Sequence, residues 1–196
     1  MLEKEIISIV RSYAINNSEK DDIHGFPHVD RVYNICLQLG KELGANLFVL
    51  EIAALLHDIG RIKEKEDISK INHAEISAEM ALEFLNSNNF NFSKVEIESI
   101  IHCIRSHSFS NNKKPKTLEA KILSDADKLD ALGAIGLYRT IGFTIKRKGG
   151  LDQVIEHLEN KILKLKDKLY LDISKEIAEE RELIIYNFYK ILLRQK

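Results

Sequence analysis

LFVLEIAALLHDIG, residues 47–60, is apolar on nearly every side from Leu47 to Leu56. A helix with no polar face has to be surrounded, so it belongs at the centre of a domain. His57 and Asp58 follow directly on the core residues Leu55 and Leu56. Burying an imidazole and a carboxylate is costly unless they are paired, hydrogen-bonded or bound to a metal. Neighbouring helical positions point about 100° apart. One cation between these two groups would therefore need helix-end geometry or further ligands from elsewhere. The simpler alternative is an ordinary helix end, with the histidine near the last carbonyls.

The chain on either side is helical in pattern. It has 2 prolines in 196 residues, no lasting strand alternation, and apolar residues recurring at spacings of three and four. The pattern predicts eight or nine helices. The first covers 2–16, and the polar NNSEKDDIHGF follows it. The second covers 27–43 and ends at Gly44; RIKEKEDISKI, 61–71, reads as a solvated surface loop. Asn72 with Glu75, and Ser93 with Glu96, form capping-box-like starts. NNKKPK is a loop, and a helix runs from Thr117 through Asp127 or beyond. Residues 133–150, with five glycines, look less regular, and closing helices cover 151–169 and 174–194. With no repeat and no linker, the expectation is an all-α, single-domain helical bundle over 1–196.

Composition narrows the function. A net charge of -1 gives no reason to expect bulk nucleic-acid or membrane binding. Cys36 and Cys103 lie in apolar helical patterns and read as reduced core residues. MLEKEIISIVRSYAI is an amphipathic helix rather than a signal peptide. No apolar run approaches the roughly 20 residues of a membrane span. The expected location is cytoplasmic, and the expected partner a small molecule.

Other unusual placements stand out. In HGFPHVDRVYNIC, residues 24–36, His28 follows Pro27 at the first turn of a helix whose stripe is Val29, Val32, Cys36 and Leu39. In SDADKLDALGAIG, counting from Leu123 puts Asp127 on a mostly apolar stripe, where a carboxylate wants a cation. Asp125 falls towards the other side and is expected to be exposed. Asp130 either orients a neighbouring ligand or is a surface carboxylate. Arg181 sits among Ile177, Ile184, Phe188 and Ile191. Its permanent charge calls for a carboxylate or phosphate.

Taken in order, His28, His57–Asp58 and Asp127, set in HVDRV, LLHDIG and DADKLDALGAIG, resemble the H…HD…D pattern of the HD-domain metal-dependent phosphohydrolases. The chain is most similar to a small, single-domain HD hydrolase subgroup, and the similarity extends to IAEER in the closing helix. The resemblance implies that His28, His57, Asp58 and Asp127 hold a divalent metal. Mn, Fe, Co, Ni or Zn would serve, because the mixed nitrogen and oxygen donors suit such ions better than calcium, and Mg is a further candidate. It implies attack on phosphorus by a metal-activated water.

The resemblance extends to further residues. His73 and His107 would serve a second metal or the substrate phosphate. HAEISA is similar to the HPxxGA element of the cyclic-dinucleotide branch, without its proline and glycine. His102 and His107, five apart, cannot both face one point from a straight helix, and His107 is preferred. His24 is a candidate for the pocket lining, although Gly25 and Pro27 point to a loop there; His157 reads as surface. Related branches carry lysine or glutamate where Arg61 stands. Arginine can meet phosphate but cannot assist the water, which leaves Asp58 as the substitute general base. Lys128, Tyr138, Arg139 and Arg181 are candidate substrate contacts.

The leading expectation is hydrolysis of nucleoside or deoxynucleoside triphosphates to monophosphate and pyrophosphate. A 5'-nucleotidase or phosphodiesterase stands behind it. A di-iron HD-type oxygenase is the alternative from another class, with His73 and His102 or His107 as extra ligands. A non-catalytic module ranks last, because all four ligand positions are filled. The partner would be a phosphate ester, and the chain a monomer or homodimer.

Overall fold

The computed structural model describes residues 2–66, 70–88 and 90–196. It is all-α, with no strand among the described residues. The helices are α1 Glu3–Asn16, α2 Phe26–Leu43, α3 Leu47–Leu56, α4 Arg61–Glu66, α5 His73–Ser87, α6 Lys94–His107, α7 Leu118–Asp130, α8 Gly133–Lys146, α9 Leu151–Asn160 and α10 Asp172–Gln195. They fall into two compact units, Met1–Ser124 and Asp125–Lys196.

In the first unit α3 is the core element. Val49, Leu50, Ile52, Ala53, Ala54, Leu55 and Leu56 are all buried, and α1, α2, α5 and α6 pack against it. Asn46 caps α3 by accepting the Val49 N–H at 3.2 Å, a use of a short polar side chain that spares one of the orphan donors of the first turn. Gly44 ends α2 in the left-handed conformation at φ 70, where a Cβ would be strained. Ser93 and Glu96 form the reciprocal capping box of α6. Asn72 caps α5 through the Ala74 N–H, but Glu75 turns instead to Asn111 and Arg105. Cys36 and Cys103 are buried free thiols.

In the second unit α8 packs against α9 and α10. The helices depart from the sequence expectations at three places. Residues 61–66, read as loop, form helix α4; residues 67–69 of the same run lie outside the described residues. Residues 133–150 are not irregular, because α8 is continuous from Gly133 to Lys146. The helix expected over 151–169 stops at Asn160 and continues as 3₁₀ turns at Ile162–Lys164 and Lys166–Lys168.

Candidate metal centre

Because α3 ends at Leu56, His57 and Asp58 stand in the turn that follows it, with His57 still in the right-handed helical region. Gly60 finishes that turn. A Cβ there would come within 2.6 Å of the Ser77 backbone nitrogen and 2.7 Å of the His73 carbonyl. Its own N–H donates to Ser77 Oγ at 2.9 Å. This close approach seats the start of α5, and so His73, beside the turn. His28 arrives from the first turn of α2, with its N–H donating to the Gly25 carbonyl. His107 is the last residue of α6.

These residues meet at Asp58, whose two oxygens face different pairs. Oδ2 lies 3.4 Å from His28 Nε2 and 3.6 Å from His57 Nε2. Oδ1 lies 3.4 Å from His73 Nε2 and 3.5 Å from His107 Nε2. All five residues are buried. The ligand atoms of His28, His57 and Asp58 lie within 4.8 Å of one another, as do those of Asp58, His73 and His107. Either group could hold a metal ion, with Asp58 common to both.

The outer nitrogens decide what the inner ones offer. His57 Nδ1 lies 2.7 Å from the Ala54 carbonyl, and His107 Nδ1 lies 2.6 Å from the Ile104 carbonyl. A carbonyl only accepts, so Nδ1 carries the hydrogen and a neutral ring turns its Nε2 lone pair towards Asp58. Glu64 performs the same task for His73, accepting its Nδ1 at 3.2 Å and its backbone N–H at 2.8 Å. Asp58 Oδ1, His73 Nε2 and His107 Nε2 have no hydrogen-bond partner although buried. Buried lone pairs aimed at one another are unfavourable by themselves and favourable around a cation. This donor set fits a divalent ion.

Charge reinforces the geometry. Burial pushes Asp58 upward, but the Arg61 guanidinium and His57 outweigh it and hold the carboxyl well below its usual range. Arg61 Nε donates directly to Asp58 Oδ2. Burial, and then Arg61, lowers the His73 pKa below 6.5. Asp58 is thus ionised at neutral pH, and His73 is held towards its neutral, ligating form.

His102, by contrast, accepts the Lys116 backbone N–H at 3.0 Å. His24 is half-buried in the loop before α2, its N–H donating to Asp21 Oδ1 at 2.9 Å.

In the second unit, Asp127 and Lys128 lie on α7. Lys128 is buried; desolvation lowers its pKa, opposed by Asp125 and Asp127. Asp125, expected to be exposed, is fully buried. Its oxygens accept the backbone N–H groups of Tyr170 and Leu171 at 2.9 Å. Asp130 is also buried and pairs with Arg139 at 2.7 Å. Arg181 NH1 donates to the Leu129 carbonyl at 2.6 Å. Tyr138 is exposed. His157 is half-buried against Phe143 rather than at the surface.

Glu64 is the residue that sequence reasoning misses. It lies in a charged run whose composition matches a solvated loop, and no periodicity links it to a histidine nine residues on. Its only local signal is the helical turn it shares with Arg61 and Lys65.

The fold and the cluster define an all-α protein with a buried histidine–aspartate centre able to hold a metal. A profile of the HD domain matches residues 25–132, and the chain belongs to that family. It is 31% identical over 200 residues to the uncharacterized protein YpgQ of Bacillus subtilis, across 98% of this chain and 90% of that one. The crystal structure of YpgQ in complex with ADP matches with a TM-score of 0.79 at 28% identity, across 100% of this chain and 97% of that one. A crystal structure of an HD-superfamily hydrolase from Bacillus thuringiensis matches with a TM-score of 0.74 at 28% identity, over 99% and 98% of the two chains. Similarity also extends to ribonuclease Y of Thermoanaerobacter pseudethanolicus, 24% identical over 188 residues; these are 94% of this chain and 34% of that much longer protein. No helix among the described residues is long and apolar enough to cross a membrane.

Proposed function

We propose that the protein is a metal-dependent phosphohydrolase acting on nucleotides, converting nucleoside or deoxynucleoside triphosphates to monophosphate and pyrophosphate. The observation that carries this reading is the convergence of four imidazoles on the two oxygens of one buried carboxylate, with three of the inner atoms lacking any hydrogen-bond partner. The ADP complex of YpgQ supports a nucleotide as the substrate class.

A divalent cation held there would supply Lewis-acid activation of a water and of the phosphorus centre. In this reading His28, His57, Asp58 and Asp127 hold it. Asp127 follows Ser124 by one turn of α7, and Ser124 Oγ donates to the His107 carbonyl at 3.1 Å. His73 and His107 serve the other oxygen of Asp58, binding a second ion or the phosphate. Held ionised far below neutral pH, Asp58 suits a ligand better than a general base. Arg61 neutralises charge that develops on the phosphate. His24, Lys128, Tyr138 and Arg181 remain proposed substrate contacts, and residues 1–196 would act as one domain whose C-terminal helices close the pocket.

The test is turnover of a nucleotide panel by metal-reconstituted protein, assaying phosphate and pyrophosphate together, beside His57→Ala. Triphosphates should yield pyrophosphate, and the variant should be inactive. Equal turnover by both proteins rejects the assignment.

The sharing of Asp58 between two ligand groups favours one second reading, a di-iron oxygenase. Two irons per chain and oxygen consumption without pyrophosphate release would select it.

A further inference from the structure

We propose that Phe109 is a substrate-binding residue, the platform on which the base of the nucleotide stacks; the inference rests on the nucleotide reading given above. Phe109 begins the short 3₁₀ segment Phe109–Asn111 that follows α6, and it is 42% exposed. Single exposed apolar side chains are ordinary on a protein surface. This one differs in where it is held and in how firmly.

Both ends of the segment are tied to the metal centre. His107 precedes Phe109 by two residues, so their Cα atoms are at most about 7.6 Å apart, and His107 Nε2 lies 3.5 Å from Asp58 Oδ1. On the other side Ser110 Oγ accepts Asn72 Nδ2 at 2.9 Å. Asn72 directly precedes His73, whose Nε2 lies 3.4 Å from the same Asp58 oxygen. Phe109 thus stands between the two histidines proposed above to serve a second ion or the phosphate, which is where a nucleotide held by its phosphates would carry its base. The segment is also rigid. Asn111 Nδ2 donates to Glu75 Oε1 at 2.9 Å and to the Arg105 carbonyl at 2.7 Å, and the Asn111 N–H donates to the Ser108 carbonyl at 3.2 Å. Glu75 in turn pairs with Arg105 at 3.1 Å and with Lys113 at 3.4 Å. A ring on an ordered segment loses little conformational entropy when a ligand covers it.

The surroundings choose the occupant. Ser110 and Asn112, the neighbours of the ring along the chain, are exposed and polar, so the segment offers one ring rather than a continuous apolar strip. One ring suits one planar group, whereas a protein partner needs a much broader face. Lys113, Lys114 and Lys116 follow and are exposed, which favours a ligand that is anionic as well as planar. An aromatic face beside positive charge is the combination that holds a base and its phosphate. Every base has a π-face, so such a platform tolerates all of them and holds purines, with the larger face, more tightly.

The chain contains no tryptophan, so Phe109→Trp puts a single fluorophore at the platform. With metal-reconstituted protein, ADP should quench its emission, and inorganic tripolyphosphate, which has no base, should not. By calorimetry, Phe109→Ala should weaken ADP binding by about five- to hundredfold, the range of one base–aromatic stack, and leave tripolyphosphate binding as in the wild type. Phe109→Tyr should restore ADP binding. In turnover of triphosphates the loss should fall on KM. Far-UV circular dichroism checks that each variant is folded. Equal ADP affinity in wild type and Phe109→Ala, an equal loss for tripolyphosphate, or tryptophan emission unmoved while calorimetry records bound ADP would each overturn the proposal. Quenching by ADP with no turnover of any triphosphate would uphold the platform and reject the reaction. Turnover with ADP affinity untouched by Phe109→Ala would do the opposite, and a wild type that binds no ADP would overturn the platform.

Discussion

The two units bury charge in opposite ways. In the second, the chain completes what it buries. Asp130 pairs with Arg139 at 2.7 Å, Asp125 accepts two backbone N–H groups, and Arg181 donates to the Leu129 carbonyl. In the first, Asp58 Oδ1, His73 Nε2 and His107 Nε2 are buried and turned towards one another without a hydrogen bond. Burial alone therefore does not mark a site; a carboxylate that the polypeptide already satisfies is architecture. A cluster whose outer atoms are fixed by carbonyls and by Glu64, while its inner atoms go unanswered, is prepared for a ligand from outside the chain.

That contrast can be broken at several points. The largest effect is expected from Asp58→Ala. It removes the oxygens common to both ligand groups and should lower metal affinity and turnover by about 10³-fold or more, the scale of losing a central catalytic group. Calorimetric metal titration checks it, and unchanged binding would erase the distinction between the units. Asp130→Ala should do the reverse. It removes the carboxylate that faces the buried Arg139 guanidinium and should cost about 3–5 kcal/mol of stability by urea denaturation, with metal affinity of the folded protein preserved. Adding Arg139→Met should recover most of that loss.

Glu64→Ala should fall between these, weakening metal binding by about 10–100-fold with little change in stability, as expected for a group that orients a ligand. The smallest effect is that of pH on the metal-free protein. Burial and Arg61 lower the His73 pKa below 6.5, and burial, Lys161 and Arg147 lower that of His157. The unfolded chain then takes up protons first. The contribution to stability is complete above pH 6.5 and is lost as pH falls from there through the folded values. Thermal unfolding between about pH 7.5 and about pH 5 reads the slope, and His157→Phe should remove the share belonging to the second unit.

Much of the first unit is legible in one dimension. The periodicity around Leu47–Leu56 announces a central helix, and the abrupt change to His57 and Asp58 announces a cost that something has to offset. Asp125 is misplaced by the same kind of reading. Counting along α7 gives its side of the helix but not that the backbone at Tyr170 and Leu171 comes to meet it. An equivalent limit hides Glu64. A glutamate in a charged run looks solvated until the start of α5 is known to sit above it.

The sequence by itself determined most of the helices, the core helix α3 and the family, because helical period and burial preference are local properties and the order of the H…HD…D residues needs no third dimension. Only the tertiary structure decided that His73 and His107 share Asp58 Oδ1, that Glu64 turns the His73 ring, and that Asp130 is answered by Arg139. Those are encounters between side chains whose distance along the chain says nothing about their distance in space, and they depend on which helix faces pack together.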